Sequence, residues 1–333
     1  MFSLTPDYEH LIVIDLEWNQ RSHNPDLRMT SEIIEIGACR VDRNYRIVDT
    51  FSEVIRPRLY KKIERHVKNV TGITDEELAL GRPFKDVYTE FIQWCGKDVQ
   101  LVTWGTSDFP VLQENAQFYK LPMPFPPSLD AQMVFSLACL HEEHQQMKLH
   151  NALEAMNIEP DVPAHRAVYD AECTARLLEP ISRHLAELTD EQKKHIRVLH
   201  EREARSLTAQ VKVSYTRYES HNALLKDRSL TALKCPECQK KLEGEMPWFF
   251  HSKKYLCLAS CEEHGMFFCQ MNIRRIPSGT LTMQQKVYLA DEEQKVDVRE
   301  KYAAFLAAPA ARLRRRMENE QAASADTQEA AAQ

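Results

Sequence analysis

The chain has 333 residues, of which 43 are Lys or Arg and 49 are Asp or Glu, so its formal net charge is −6. A hydrophobic fraction of 43 % excludes a disordered chain, and no apolar run reaches the ~18–20 residues of a membrane-crossing helix. With 8 glycines and no G-x-G-x-x-G or Walker A sequence, the Gly-rich phosphate loops are excluded. The N-terminal segment lacks a secretory-signal pattern, so we expect a cytoplasmic, reducing location in which the cysteines are thiols or metal ligands.

Charge is distributed unevenly along the chain. Residues 1–185 carry 19 basic and 28 acidic side chains, whereas residues 191–316 carry 24 basic and 15 acidic ones. An acidic half is compatible with metal binding and a basic half with polyanion binding, although an ordinary solvated surface would account for either.

The first half of the chain alternates strand patterns with amphipathic helix patterns, which predicts an α/β fold. The predicted strands are His10–Leu16, Ile33–Val41, Arg46–Ile55 and Val99–Thr103. The predicted helices are Lys61–Val70, Asp75–Leu80, Pro83–Cys95, Phe109–Tyr119, 130–142, 148–156 and 165–186. Thr74 and Glu77 have the spacing of a capping box at the start of the second helix.

Composition divides the whole chain into five predicted segments. The α/β domain covers residues 1–186, and a charged helical connector covers 187–232. A cysteine-rich domain at 233–280 precedes a basic helical segment at 281–317, which ends in Arg312, Arg314, Arg315 and Arg316. The tail at 318–333 has few bulky apolar residues, so we expect it to be disordered.

Four carboxylates lie where the predicted elements would direct them into one cleft. Asp15 and Glu17 end the first strand, where side chains at i and i+2 point to the same side. Asp108 starts a helix and could be its N-cap, whereas Asp170 lies five residues after His165. Buried carboxylates need a cation, and Mg²⁺ or Mn²⁺ prefer oxygen ligands. With His165 as a proton acceptor, the set fits a two-metal phosphoryl-transfer centre.

Two short cysteine motifs lie in the second half of the chain. Their spacing is close to that of a zinc ribbon, with one zinc ion held by Cys235, Cys238, Cys261 and His264. Cys257 and Cys269 are alternatives for the last two ligands. Basic residues surround this motif, namely Lys234, Lys240, Lys241, Lys253, Lys254, Arg274 and Arg275. The ribbon could hold a phosphate backbone, stabilise the fold or dock a protein.

Three strings in the first half resemble the motifs of a known family. VIDLEWNQ (13–20), VTWGTSDFPVL (102–112) and HRAVYDAECTA (165–175) resemble the three motifs of the DEDDh 3′–5′ exonucleases. The segments EIIEIGA (32–38) and NVTGITDEEL (69–78) match its connecting segments. The likeness implies a ribonuclease-H-like mixed sheet flanked by helices. It looks most like bacterial exonucleases with the DLEWNQ opening and a C-terminal zinc ribbon, which resemble small-RNA and histone-message trimming exonucleases.

The resemblance implies a role for each motif residue. His165 would be the general base, and two Mg²⁺ or Mn²⁺ ions would be held by Asp15, which bridges them, Glu17, Asp108 and Asp170. The implied reaction releases 5′-mononucleotides from the 3′ end of single-stranded RNA or DNA, and the sequence does not choose between the two. Trp18 and Asn19 would line the terminal-nucleotide pocket. The alternative is a catalytically inactive nucleic-acid-binding or adaptor protein on the same fold.

Overall fold

The computed structural model describes residues 8–20, 29–142, 146–159, 166–216, 218, 220–275 and 281–308. The chain forms two compact units, Met1–Thr208 and Ala209–Gln333. Each unit contains its own β-sheet. Within the described ranges, no helix combines the length and the apolar character needed to cross a membrane.

The first unit is a mixed sheet flanked by helices, which confirms the predicted α/β class. Its strands are β1 (His10–Gln20), β2 (Ser31–Val41), β3 (Ile47–Arg56), β4 (Arg82–Pro83), β5 (Val99–Thr103) and β6 (Leu129–Asp130). Its helices are α1 (Arg65–Thr71), α2 (Asp75–Leu80), α3 (Phe84–Cys95), α4 (Asp108–Phe118), α5 (Ala131–Cys139), α6 (Leu149–Ala155), α7 (Ala167–Glu187) and α8 (Asp190–Leu207). The strand order is β4-β3-β2-β1-β5-β6, with β1 antiparallel to β2 and parallel to β5. The predicted capping box of α2 is present.

The central strand β1 is buried on both faces. Leu11 and Val13 pack into one core with residues of α5, α6 and α7, whereas Ile12 and Ile14 pack into another with α3 and α4. Successive side chains of a strand point to opposite faces, so a strand between two helical layers needs an unbroken apolar run. This explains the sequence LIVI, and the carboxylates follow where the run ends.

Helix α7 crosses β2 at very short range because residue 37 is glycine. An added Cβ at Gly37 would lie 2.0 Å from the backbone nitrogen of Val168. Backbone atoms cannot rotate away as a side chain can, so only glycine allows this approach. Gly37 therefore fixes the position of the first turn of α7, which carries Asp170.

We expect Gly37→Ala to lower the free energy of unfolding by about 3 kcal/mol, the upper range for overpacking, or to prevent folding. Urea unfolding measures the change. Gly244→Ala is the matched control, because its added Cβ would meet the backbone oxygen of Met246 at 3.3 Å, a tight contact that a shift of a few tenths of an ångström relieves. Equal stability of the two variants would show that α7 can move away from β2 at little cost.

The second unit is an antiparallel sheet with short helices. Its strands are β7 (Gln210–Thr216), β8 (Glu243–Gly244), β9 (Phe249–His251), β10 (Lys254–Cys261), β11 (Gly265–Arg275) and β12 (Leu281–Leu289). The main order is β7-β12-β11-β10-β8, and β9 pairs with β10. Two short helices, α9 (His221–Lys226) and α10 (Arg228–Thr231), follow β7. The helix α11 begins at residue 292 and continues to 308, where the described residues end.

Two predicted helical segments differ from the structure. Residues 281–289 form β12 rather than the start of a helix, and the connector at 187–232 contains β7, which pairs with β12. The physical reason is visible in the sequence LTMQQKVYL, whose odd positions are buried except the last and whose even positions are not. This period of two indicates a strand and outweighs helix propensity. The basic run at 312–316 and the tail at 318–333 lie outside the described residues.

Candidate active site and cysteine cluster

The carboxyl end of β1 brings three of the predicted carboxylates together. One carboxylate oxygen each of Asp15, Glu17 and Asp170 lies within 4.8 Å of the others. Asp108 lines the same cavity of about 420 Å³, and its Oδ1 accepts a hydrogen bond from the backbone nitrogen of Leu16 at 3.0 Å. All four acidic residues therefore meet at one cleft, as their spacing in the sequence predicts.

The acidic cluster is electrostatically unfavourable without a cation. Burial, followed by the charges of Asp108 and Asp170, raises the pKa of Asp15 well above its ordinary value. Burial and the nearby Glu35 raise the pKa of Glu17 to about 8. Burial also raises the pKa of Asp108 to about 7. A divalent cation would remove this repulsion, and carboxylate oxygens are the donors that Mg²⁺ and Mn²⁺ prefer, so the residues fit such ions.

These pKa shifts predict how stability depends on pH without metal. Between pH 4.5 and about 8 the folded state retains a proton on Glu17 that the unfolded chain releases. Stability of the metal-free protein should therefore fall as the pH rises through this window. Melting curves in EDTA at pH values of about 5.5, 7 and 8.5 measure the effect, which should be smaller in Glu17→Gln. The same slope in both proteins would contradict the assignment to Glu17.

An ion pair with a fully buried carboxylate, which the sequence analysis missed, lies beside the cluster. Glu35 is fully buried and faces Glu17 across the β1–β2 pair. Its Oε1 accepts hydrogen bonds from Nε and Nη2 of Arg166 at 2.9 and 2.7 Å, and its Oε2 accepts one from the nitrogen of Ala167 at 3.1 Å. The pair therefore attaches the start of α7 to β2. The feature of the sequence that could have indicated this ion pair is the single acidic residue inside the apolar strand sequence IIEIGA.

The predicted nucleotide-pocket residues have different environments. Trp18 is half-buried and lines the cavity. Asn19 is fully buried, donates to the carbonyl oxygens of Tyr60 and Lys62 at 3.2 and 2.8 Å, and accepts from the nitrogen of Glu64 at 3.0 Å. The Asn19 amide thus holds a loop rather than facing the cavity. Sequence analysis missed other lining residues, among them His66, Val70, Thr71, Trp104 and Ser107.

His165, the predicted general base, lies outside the described residues, which resume at residue 166. The described residues that follow it define where α7 begins. Arg166 binds Glu35, and Asp170 lies in the first turn of the helix.

The cysteine motifs of the second unit also come together. Cys235, Cys238, Cys261 and His264 each offer a ligand atom within 4.8 Å of the others. The Sγ atoms of Cys238 and Cys261 are 3.7 Å apart, and His264 Nδ1 is 3.7 Å from Cys235 Sγ and 3.6 Å from Cys261 Sγ. A tetrahedral ion with Zn–S of about 2.3 Å and Zn–N of about 2.0 Å separates its ligands by about 3.5–3.8 Å. The set fits zinc.

The alternative cysteines lie elsewhere in the same sheet. Cys257 and Cys269 are paired across β10 and β11, and both are buried. Burial, with the neighbouring Cys257 thiol, raises the pKa of Cys269. A thiol that resists ionisation in an apolar core is a poor metal ligand, so these two residues are better explained as core.

Known proteins are similar to part of this chain. The Exonuclease family RNase_T matches residues 12–178. Probable 3′-5′ exonuclease KapD of Bacillus subtilis (strain 168) is 30 % identical over 118 residues, which are 34 % of this chain and 57 % of that protein. DNA polymerase III PolC-type of Streptococcus sanguinis (strain SK36) is 28 % identical over 148 residues, 44 % of this chain and 10 % of that protein. The chain thus spans less than two thirds of each relative.

A solved structure is similar to about half of the chain. The nuclease domain of 3′hExo, described as a DEDDh family member bound to rAMP, is 23 % identical, with 55 % of this chain and 96 % of that chain covered and a TM-score of 0.48. The family match, which includes half of the residues, agrees with the mixed sheet, its flanking helices and the acidic cleft. The chain belongs to the RNase_T exonuclease family.

Proposed function

We propose that this protein is a metal-dependent 3′–5′ exonuclease that releases 5′-mononucleotides from single-stranded RNA or DNA. The observation that carries the proposal is the convergence of Asp15, Glu17 and Asp170 within 4.8 Å, in a cleft that Asp108 also lines. We assign these four residues as ligands of two Mg²⁺ or Mn²⁺ ions. The bound ions would supply electrostatic stabilisation of the attacking and leaving oxygens of a phosphodiester.

The chain's own residues bind and orient the strand in this proposal. Trp18 and Trp104 line the cleft and offer aromatic surface, and one base stacked on such a ring gains about 1–3 kcal/mol. Asn19 acts indirectly, because its amide holds the loop at 60–64 that precedes α1. The pair of Glu35 and Arg166 positions Asp170 by attaching α7 to β2.

His165 is the proposed general base that accepts a proton from the attacking water. We expect His165→Ala to lower turnover by about 10²–10⁴-fold, the usual contribution of such a group. Affinity for Mn²⁺ should stay unchanged, because the base is not a ligand. Calorimetric Mn²⁺ titration beside single-turnover kinetics checks both. A parallel loss of metal binding would contradict the assignment.

We also propose one structural zinc ion on Cys235, Cys238, Cys261 and His264. Within the described residues no two cysteines form a disulfide, which is compatible with a reducing compartment such as the cytoplasm. The family match lies in the first unit. We accordingly propose that residues 1–186 are the exonuclease domain and that the zinc ribbon at 233–280 has an accessory role.

The proposed activity is tested with 5′-labelled single strands of RNA and DNA of matched sequence in the presence of Mn²⁺. Products should shorten progressively from the 3′ end, and chromatography should identify 5′-mononucleotides. A 3′-phosphate on the strand should slow the reaction. Internal cleavage, or no cleavage of either strand, would overturn the proposal. The ratio of the RNA and DNA rates establishes the substrate class.

A further inference from the structure

One face of the sheet in the second unit is covered along its length. The opposite face is covered where Leu256, Leu258 and Phe268 form a core with Val298 of α11, and it is polar beyond that core. On the first of these faces, Met271 and Met283 are buried against Leu224 of α9. Neighbouring residues of a strand point to opposite sides, so Asn272 and Gln284, which are directly paired across β11 and β12, lie on the other face. Asn272 is half-buried and Gln284 is exposed. At Asn272 and Gln284 this face is therefore accessible to solvent, whereas the adjacent Met271 and Met283 on the opposite face are buried.

Two lysines on strands β10 and β12 converge over this polar face. Lys286 is paired with Gln270 across β11 and β12, and Lys254 Nζ donates to Gln270 Oε1 at 3.2 Å. Both lysines are half-buried. Burial and then the charge of Lys254 lower the pKa of Lys286, and burial and then Lys301 lower the pKa of Lys254. The ammonium groups of the two lysines repel each other, which raises the electrostatic free energy of this part of the sheet.

The positive group extends in two directions. Lys301 of α11 is close enough to affect Lys254, and Arg274 lies exposed on β11, two residues after Asn272 on the same face. Asp297 is a counter-charge, since it pairs with Lys301 and also acts on Lys254. Lys254, Lys286 and Lys301 are thus grouped, with Asp297 acting on two of them. A group of like positive charges attracts polyanions.

We propose that this polar face binds the phosphate backbone of a single-stranded nucleic acid, with Lys254, Lys286 and Arg274 contacting phosphates. The choice of ligand rests on the proposed function and on charge complementarity. Phosphates bound between the ammonium groups would relieve their mutual repulsion, and the amides of Asn272 and Gln284 would add neutral donors. A cationic track without base readout gives the sequence-tolerant binding that an exonuclease requires.

The test measures binding of a 5′-fluorescein-labelled strand of about 30 nucleotides to the full chain in EDTA, by fluorescence anisotropy over a range of salt concentrations. The double variant Lys254→Gln/Lys286→Gln loses two cations from the face. The control Lys226→Gln/Arg228→Gln loses two exposed cations elsewhere in the same unit. Each lost phosphate contact lowers the salt slope by about 0.7 for a single strand, so the first variant should lose about 1.4 and bind about 20-fold more weakly at about 0.1 M salt. The control should match the wild type.

A second measurement uses the unmodified protein. The bound strand should protect Lys254 and Lys286 from acetylation more than it protects Lys226. Equal affinities of the two double variants, or equal acetylation with and without the strand, would overturn the inference. Hydrolysis by the wild type with Mn²⁺ is measured separately. Lysine-dependent binding without cleavage contradicts the proposed function alone, and cleavage with lysine-independent binding contradicts this inference alone.

Discussion

Asp15→Asn should abolish exonuclease activity, with a loss of at least about 10³-fold, while the metal-free protein becomes more stable. The activity falls because the substitution removes a central carboxylate of the acidic cluster. The stability rises because Asp15 is half-buried beside Asp108 and Asp170, whose charges oppose its ionisation. A substitution that merely damaged the fold would lower the activity and the stability together. Cleavage of a labelled strand and melting in EDTA measure the two effects.

The matched control is Asp86→Asn, which makes the same chemical change at an exposed position of α3. Activity should stay at the wild-type value, and the melting temperature should not rise, because Asp86 lies in the first turn of α3, where a negative charge is mildly stabilising. If Asp15→Asn cleaves as well as this control, the acidic cluster is not the catalytic centre. If neither the wild type nor the variants cleave, the alternative of an inactive nucleic-acid-binding protein replaces the enzyme.

Cys235→Ser should release zinc and unfold the cysteine-rich part of the second unit. Structural zinc contributes about 10–16 kcal/mol in zinc-finger peptides, which equals or exceeds the roughly 5–15 kcal/mol that holds a typical domain folded. Cys235 is fully buried beside the other ligand atoms, so water cannot take the place of the lost thiolate as a zinc ligand. Zinc content by atomic absorption and limited proteolysis measure the loss. The first unit should remain resistant, because its cores contain residues of that unit alone.

Cys257→Ala is the matched control for the zinc site. It removes a buried thiol from the same sheet but from outside the proposed ligand set. Zinc content should stay at one ion per chain. Loss of zinc from Cys257→Ala together with retention by Cys235→Ser would reverse the ligand assignment.

The acidic site could be predicted from sequence because its parts lie on regular elements. Asp15 and Glu17 follow a continuous apolar run, and alternation in a strand directs both to one side. Asp108 and Asp170 lie in the first turns of α4 and α7. The sequence predicts these helices over 109–119 and 165–186, so each carboxylate lies within a few residues of its predicted helix start. Local rules of this kind do not depend on knowing which elements become neighbours.

Features that depend on distant pairing could not be predicted. The role of Gly37 requires that α7 crosses β2 at that residue, and Glu35 has a partner 131 positions away. The sequence predicts a helix over residues 281–289, where the structure has β12. Its partner strand β7 lies in a charged segment that is itself predicted to be helical, so the sequence alone does not show this pairing. Lys254 and Lys286 converge only through the register of three strands.

The most direct test of the central claim is Mn²⁺ binding followed by electron paramagnetic resonance. We expect wild-type protein to bind two interacting Mn²⁺ ions, with affinity that increases from about pH 6 to about pH 8 as the raised-pKa carboxylates ionise. Asp15→Asn should lose the interacting pair, whereas Asp86→Asn should retain it. Identical spectra from the wild type and Asp15→Asn would contradict a divalent-metal centre at the end of β1.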